Sequence, residues 1–421
     1  MQPVGDEVVL VERVAGIDIG KAEVVVCVRV PQGGTGGGRA QEVRTFSTLT
    51  SGVQECADWL HEWGVTRVVM ESTGDYWKAP FWLLEAAGFD TWLVNARDVK
   101  HLPGRAKTDK IDAVWLCKLA ERGMLRPSFV PPLQIRQLRQ LTRYRANLVH
   151  DRTREKNRVE KVLDQTGVKL SVVISDLFGV SGRDMLNALI RGERDPHVLA
   201  DLARTSMRAK NDVLVQALHG LFFTEHDAFV LSRMLARIDA LTADITAVEE
   251  RIDEVITPFG EAVARLCTIP GVGTSTAIAI LAETGPDMNR FPTPGHLASW
   301  AKVSPQANES AGRTRGSRST GKGNRYLAGA LGTAVLGCCR TDTFLGARYR
   351  RLVKRRGKSR AIVAVSRSVL IAVWHILSEP GTTYLDLGPD HYERTRNHDR
   401  ALRNAIHRLN ALGYRVTLEA A

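Results

Sequence analysis

The segment from Val14 to Val30 restricts the fold of this chain more than any other stretch. Its density of valine and isoleucine predicts a buried strand, interrupted near Gly20-Lys21. Glycine-rich residues 33–38 predict a turn, and the alternation from Glu42 to Thr48 predicts the returning strand of a hairpin. The patterns that follow predict helices at 52–63, 80–87 and 110–122 and strands at 66–70 and 89–94. Strands that alternate with helices predict an α/β domain with a largely parallel sheet and helices on its faces.

Three prolines, Pro127, Pro131 and Pro132, mark the end of this region. A chain of 421 residues is too long for one ordinary core. Beyond the prolines the patterns are helical, so the predicted fold class is α/β plus α. We expect four parts: an α/β domain at 1–130, a helical region at 131–258, a mostly helical domain at 259–387 and a polar tail at 388–421.

Two long helices are predicted in the second part. The first carries cations at spacings of three, four or seven, namely Arg136, Arg139, Arg143, His150, Arg154, Arg158 and Lys161. These cations share one helix face, which is either simply solvated or follows the phosphates of a nucleic acid. The second helix, 231–256, has apolar residues at near-heptad intervals. It is either a core helix or half of a coiled-coil contact between two copies of the chain.

Composition excludes several classes of protein. Lysine and arginine outnumber aspartate and glutamate by 58 to 46, a net charge of +12, which favours a polyanionic partner, although a merely soluble basic protein has the same excess. None of the six cysteines forms a C-x-x-C pair, which argues against a zinc ribbon or a thioredoxin-like motif. The N-terminus lacks the pattern of a secretory signal, and no uncharged apolar stretch reaches the length of a membrane span. We therefore expect a soluble, cytosolic protein without a membrane partner.

Four acidic residues stand at positions where chemistry is expected. Asp18 lies inside an apolar strand, where a charge is costly unless it is paired or bound to a metal. Glu71 directly follows the strand 66–70, at the edge of the sheet where active sites collect. Asp109 and Asp112 are three residues apart at a helix start, so their side chains lie on the same side of that helix. Four such carboxylates suit one or two Mg²⁺ ions, which clamp the oxygens of a phosphodiester. The alternative is that Asp109 and Asp112 only favour the helix dipole and that Glu71 is a surface acid.

The C-terminal half contains two further signals for nucleic acid. Ile269-Pro270-Gly271-Val272-Gly273 predicts either a helix-hairpin-helix turn, whose backbone N–H groups bind a phosphate, or a plain turn between helices. Residues 310–341 contain no acid, and such one-sided charge favours contact with a polyanion over a solvated face. The cations of this stretch and of the cluster after it that we assign to nucleic-acid binding are Arg313, Arg315, Arg318, Lys322, Arg325, Lys354, Arg355 and Arg356.

Several short motifs together resemble one family of insertion-element transposases. They are G-I-D-I-G-K, E-S-T-G-D-Y-W, a strand ending in V-N-A-R, and K-T-D-K-I-D-A, followed by L-A-S-W, N-E-S-A-G and K-G-N-R-Y-L. These resemble the DEDD/serine transposases, described as bridge-RNA-guided recombinases, which have an RNase H-like, RuvC-like N-terminal domain and a C-terminal transposase domain. The four acids of that family match Asp18, Glu71, Asp109 and Asp112 in order, and its catalytic serine matches Ser310. Without the family, Ser310 is one loop serine beside Ser304, Ser317 and Ser319.

The resemblance implies a DNA recombinase. Ser310 is expected to attack a DNA phosphate and form a phosphoserine linkage, while the four acids hold Mg²⁺. The resemblance also implies donor and target DNA as partners, an element-encoded guide RNA, and homodimers that assemble into a homotetramer. Two alternatives remain open: a metal-dependent nuclease or resolvase that uses water as nucleophile, and a catalytically inactive nucleic-acid-binding protein on the same scaffold.

Overall fold

A computed structural model describes residues 11–32, 38–71, 74–95, 108–219, 222–305, 309–310, 313–314, 320–394 and 398–418. The chain divides into two compact units, Met1–Val130 and Pro131–Ala421. The four-part division of the sequence remains a prediction.

The first unit is an α/β domain. Its elements in chain order are β1 (Val14–Ile19), β2 (Glu23–Pro31), β3 (Arg39–Ser47), α1 (Thr50–Glu62), β4 (Arg67–Glu71), α2 (Lys78–Ala86), β5 (Asp90–Val94) and α3 (Asp109–Glu121). The strand order in the sheet is β3-β2-β1-β4-β5. Each predicted strand and helix of this region is therefore present, within a few residues of its expected ends.

The expectation of a largely parallel sheet is wrong. β1 pairs with β4, and β4 with β5, in parallel, but β1 pairs antiparallel with β2. β2 and β3 also pair antiparallel, which confirms the predicted hairpin. The reason is the length of the connections. Only Gly20, Lys21 and Ala22 separate β1 from β2, too few for the crossover that a parallel pair needs. The sheet is therefore mixed.

Helices cover both faces of this sheet. On one face, side chains of α1 and α2 such as Leu60 and Phe81 pack against Ile17 and Met70. On the other face, α3 contributes Ala113 and Cys117, among others, to a second cluster with β-strand residues such as Val69. The alternation of side chains along the strands produces these two clusters, because successive residues point to opposite faces.

The second unit is helical. It begins with α4 (Leu133–Gln165), α5 (Leu170–Val173), α6 (Val180–Ile190), α7 (Pro196–Asp201), α8 (Asn211–Leu218) and α9 (Glu225–Ile256). α4 and α9 lie side by side and run antiparallel, since Arg145 bonds Glu249 whereas Glu155 lies near Arg237. The apolar stripe of α9 thus packs on α4 of the same chain, as a core helix does, and a contact between copies stays a prediction. α5–α8 form a small bundle with the ends of these two helices.

The remaining helices follow after a short 3₁₀ turn. They are α10 (Gly260–Leu266), α11 (Thr274–Thr284), α12 (Pro294–Trp300), α13 (Arg325–Cys338), α14 (Phe344–Arg356), α15 (Lys358–Ser378), α16 (His391–Arg394) and α17 (His398–Ala411). Two short strands, β6 (Glu309–Ser310) and β7 (Arg313–Thr314), pair antiparallel between α12 and α13. The expected polar tail, 388–421, therefore contains helices.

Among the described residues, α15 is the one helix whose length and composition would allow it to span a membrane. It nevertheless carries Arg360 and Arg367. Val365, Val369 and Val373 on one of its faces are fully buried within the protein. These contacts are those of a core helix.

Candidate active site

Two of the four predicted acids end neighbouring strands of the sheet. β1 and β4 are parallel, and Ile17 is the partner of Met70 in their register. The residues that follow them, Asp18 and Glu71, therefore lie side by side at the carboxyl edge of the sheet. Their side chains point to the face that α3 covers, because each is one residue beyond a side chain of the opposite cluster.

Helix α3 brings the other two acids to the same edge. Its backbone packs on Gly16, where an added Cβ would lie 2.6 Å from the carbonyl oxygen of Ala113 and 2.6 Å from the backbone nitrogen of Cys117. Cys117 Sγ donates a hydrogen bond to the carbonyl of Val14 at 3.3 Å. Because Cys117 lies beside Val14, and Ala113 beside Gly16, α3 runs opposite to β1 and its first turn lies near Asp18.

The first turn of α3 contains both Asp109 and Asp112. Thr108 is the N-cap residue, and its hydroxyl accepts a hydrogen bond from the backbone N–H of Ile111 at 3.3 Å. Acidic residues in this turn also interact favourably with the helix dipole. Their position is thus compatible with a metal site and with a purely helical role.

The electrostatics of Asp18 distinguish this edge from an ordinary surface. Burial first, and then the negative charges of Asp109, Asp112 and Glu71 in that order, raise the pKa of Asp18 from its ordinary 3.8 to about 6. The three other carboxylates therefore all act on Asp18. Asp75, the other nearby acid in sequence, is instead exposed and paired with Lys78 at 2.8 Å.

The donor set fits Mg²⁺ by its chemistry, since carboxylate oxygens are the ligands that this ion prefers. A divalent cation would relieve the mutual repulsion that raises the pKa of Asp18. As placed, no group of three or more His, Cys, Asp or Glu side chains within the described ranges is arranged to hold a metal ion. Magnesium binding by these residues remains a proposal.

Ser310 belongs to the second unit. It lies in β6, and its backbone partner in the short β6–β7 ladder is Arg313. Arg315 and Arg318 lie outside the described residues. Lys322 and Arg325, which follow this segment, are exposed, and the Arg325 guanidinium donates to the hydroxyl of Tyr326 at 2.6 Å.

The glycine turn lies between α10 and α11, as the helix-hairpin-helix interpretation expects. Gly271 has a φ of +85°, and an added Cβ there would lie 2.1 Å from the carbonyl oxygen of Ala334. The close contact with α13 is thus enough by itself to require glycine at this position. Gly273 is the exposed N-cap residue of α11, with open space around it. The first turn of α11 lines a groove of 1130 Å³, as does Arg325. Phosphate binding at the two glycines stays a prediction.

Two of the predicted nucleic-acid-binding cations on α4, Arg139 and Arg143, contact an acid of the same unit. The Arg143 guanidinium makes two hydrogen bonds of 2.7 Å to the carboxylate of Glu283, and Arg139 donates to the carbonyls of Ala282 and Glu283. Burial lowers the pKa of Arg139 to about 10, with Arg143 acting in the same direction and Glu283 opposing both. These contacts give both arginines a structural role in this conformation, and their predicted binding of nucleic acid stays a prediction.

The other predicted cations differ in their surroundings. Arg136 is half-buried, whereas Arg154 and Arg158 are exposed and lie within 3.3 and 2.5 Å of Asp151 and Glu155. By contrast Lys354, Arg355 and Arg356 are exposed in the last turn of α14 and form no ion pair with the described acids. Those three cations are therefore accessible to a polyanion.

Comparisons with known proteins agree with this arrangement. Residues 15–168 match a family described as "Transposase", and residues 263–350 match the "Transposase IS116/IS110/IS902 family". The chain belongs to this family of insertion-element transposases. It is 24% identical over 350 residues to the "Transposase for insertion sequence element IS1111A" of Coxiella burnetii, covering 82% of each chain.

Two other relatives of the transposase are proteins of insertion elements. It is 25% identical to the "Insertion element IS110 uncharacterized 43.6 kDa protein" of Streptomyces coelicolor, over 77% of this chain and 84% of that one. It is 27% identical to the "Insertion element IS900 uncharacterized 42 kDa protein" of Mycobacterium paratuberculosis, over 72% of this chain and 81% of that one. A Thermus thermophilus RuvC structure aligns with 28% of this chain and 99% of its own, at 15% identity and a TM-score of 0.22.

Sequence reasoning missed one charged residue of the transposase, Glu283. It lies at the end of the apolar run of α11 and is 1% exposed. The signal that selected Asp18, an acid inside an apolar stretch, is also present here. Glu283 has cations and an amide around its carboxylate, whereas Asp18 has other acids.

Proposed function

We propose that this transposase cuts and rejoins DNA by transesterification, with the Ser310 hydroxyl as nucleophile and with Asp18, Glu71, Asp109 and Asp112 as ligands of Mg²⁺. The observation that carries the metal half of the proposal is that Asp18 lies half-buried beside three other acids at one sheet edge, where burial and then their charges raise its pKa to about 6. Protein folds tolerate such repulsion chiefly at functional sites, because it costs stability. The serine half rests on the family resemblance and on the position of Ser310 in β6.

The proposed step is balanced as an exchange of esters. The Ser310 Oγ–P bond forms, the bond between phosphorus and one deoxyribose oxygen breaks, and the hydroxyl proton is transferred, through solvent, to the oxygen that leaves. A second DNA hydroxyl reverses the step and releases the serine. Bound Mg²⁺ would neutralise charge on the phosphate. Before it binds, the carboxyl of Asp18 holds a proton more readily than an ordinary aspartate does.

The guide RNA and the assembly are part of the same proposal. An element-encoded RNA would pair with DNA, and the protein would then read backbone and shape rather than base edges. The exposed cations Lys354, Arg355 and Arg356 suit this role because phosphate contacts carry no sequence information. Two copies of the chain would form a dimer, and two dimers a tetramer, on the evidence of the resemblance alone.

The test is a cleavage assay on supercoiled DNA with Mg²⁺ and the RNA transcribed from the non-coding ends of the element. Wild type is compared with Ser310→Ala and Asp18→Ala, and with Ser304→Ala, Ser317→Ala and Ser319→Ala as matched serine controls. Products are denatured, and DNA attached to protein is digested to peptides and identified by mass. We expect attachment at Ser310 in the wild type and in the three controls, and none in the Ser310 and Asp18 variants.

The other outcomes identify the alternatives. Cleavage that persists in Ser310→Ala and still requires Asp18 would show a nuclease that uses water. Binding without cleavage under any divalent cation, in the wild type and all variants alike, would show an inactive binding protein. Attachment at a different serine would overturn the assignment of Ser310 while leaving the reaction class intact.

A further inference from the structure

Glu283 joins three helices of the second unit through one buried carboxylate. Its Oε1 and Oε2 each accept a hydrogen bond of 2.7 Å from the guanidinium of Arg143 on α4. Oε2 also accepts from the side-chain amide of Asn324 at 2.6 Å. Arg139 Nε lies 3.4 Å from the same oxygen. A carboxylate that is 1% exposed needs such partners, and here both of its oxygens have them.

Asn324 is the residue through which Glu283 reaches the serine segment. It is the N-cap of α13, and its Oδ1 accepts from the backbone N–H groups of Tyr326 and Leu327 at 3.0 and 3.3 Å. The opposite end of the same amide donates to Glu283. The orientation of this side chain is therefore determined by its neighbours, since exchanging oxygen and nitrogen would break all three bonds.

The residues before Asn324 contact the other end of the same segment. An added Cβ at Gly323 would lie 2.8 Å from the carbonyl oxygen of Ala301 and 3.0 Å from Cβ of Lys302. Gly321 has a φ of +75° and Lys302 a φ of +58°, conformations that keep the chain turning tightly. Residues 301–303 and 321–324, which we call the stems, thus meet on either side of the stretch that contains Ser310.

We propose that Glu283 is a positioning residue for Ser310. Resting on the proposed role of that serine, the inference is that the Glu283–Asn324 hydrogen bond fixes the stems to the helices α4 and α11. Glu283 does not touch the reacting atoms and acts only through Asn324. The stems then hold the backbone of β6 at one place relative to the helical body, which nucleophilic attack requires because small displacements cost large factors in rate.

The decisive variant is Asn324→Asp. Aspartate caps a helix as well as asparagine does, so α13 keeps its N-cap. The change removes the donor to Glu283 and faces two carboxylates toward each other. The double variant Glu283→Gln with Asn324→Asp restores a donor and an acceptor at this contact with one negative charge, as in the wild type. Asn211→Asp is the matched control, since its amide also donates to a carboxylate, that of Asp201 at 2.8 Å, at a helix start far from Ser310 in sequence.

The experiment measures the single-turnover rate of covalent protein–DNA attachment at saturating DNA, together with DNA affinity. For Asn324→Asp we expect a rate about 10- to 100-fold lower with affinity changed less than about twofold. The double variant should regain at least part of that loss, and Asn211→Asp should match the wild type. A contact that served stability alone would leave the rate at saturation unchanged, and this result would overturn the inference.

Hydrogen exchange separates failure of this inference from failure of the proposed function. If the wild type forms no covalent attachment to DNA, the proposed role of Ser310 is wrong. Amide exchange then still tests whether the Glu283–Asn324 hydrogen bond anchors the stems. We expect Asn324→Asp to raise exchange at least about tenfold in peptides that cover the two stems, with no change in peptides from α9. Exchange that is unchanged at the stems would refute the anchoring whatever the chemistry of the serine.

Discussion

Replacing Asp18 by asparagine should stabilise the metal-free protein at neutral pH while abolishing DNA cleavage. The carboxylate of Asp18 is partly buried beside three other acids, which together raise its pKa to about 6. In the unfolded chain the same group titrates near 3.8. Between these values the folded state binds more protons than the unfolded state, so the contribution of Asp18 to stability falls as the pH rises from about 4 to about 6.

The magnitude follows from the two pKa values. The difference between 3.8 and about 6 corresponds to roughly 3 kcal/mol if it acted at full strength. Because Asp18 is only half-buried, screening by solvent reduces this to about 1 kcal/mol. Asn has the same shape and no charge, so we expect Asp18→Asn to gain about 1 kcal/mol above pH 6 and nothing below pH 4.

Urea unfolding in EDTA, at pH 3.5 and pH 7.5, measures this gain. Tryptophan fluorescence reports mainly on the first unit, because six of the eight tryptophans lie between Trp59 and Trp115. Asp75→Asn is the control, since Asp75 is exposed and paired with Lys78, and its change should be within about 0.5 kcal/mol. An equal gain at both pH values, or none at pH 7.5, would refute the electrostatic argument. Added Mg²⁺ should stabilise the wild type and reverse the order of the two proteins.

Three further predictions follow from close contacts and charges. Gly16→Ala places a methyl group against the backbone of α3 and should lower the free energy of unfolding by about 1–3 kcal/mol. Gly332→Ala, in open space within α13, should raise it by about 0.5–1 kcal/mol. Urea unfolding measures both changes. Gly271→Ala should destabilise the second unit more than Gly16→Ala does the first, because its φ is positive and its contact shorter, as a lowered thermal midpoint in calorimetry would show. Arg355→Gln should weaken DNA binding and reduce the salt dependence of the binding constant by about one ion. Arg143→Gln should lower stability and leave that salt dependence unchanged. DNA-binding titrations at several salt concentrations distinguish the two variants.

The sequence predicted the elements of the first unit because each signal there is local. Alternation in β3, the apolar runs of β1 and β4, and the apolar pattern of the helix predicted at 110–122 depend on residues close together in sequence. The direction of the strands was not predictable by counting alternations. It depended on the short connection between β1 and β2, whose three residues exclude a crossover.

The candidate site was predicted to the same extent. Asp18 and Glu71 are found together because both end parallel strands, and this follows from a general property of α/β sheets. The contacts of the arginines on α4 could not be predicted from the sequence in this way. The regular spacing of Arg139, Arg143, Arg154 and Arg158 is the same whether a helix faces solvent, a nucleic acid or a buried acid.

Asp18 and Glu283 show why a buried acid has no single interpretation in sequence. Both stand in apolar runs, and in both cases burial of the charge costs free energy. Around Glu283 the cost is offset by Arg143, which is 140 residues away in sequence, and by Asn324, which is 41 away. Around Asp18 the side-chain charges that act on its pKa are those of acids, and they add to the cost of burial. The first arrangement stabilises the fold by itself, whereas the second would gain stability from the proposed cation. The partners of an acid, which the tertiary structure supplies, therefore decide between a positioning role and a metal site.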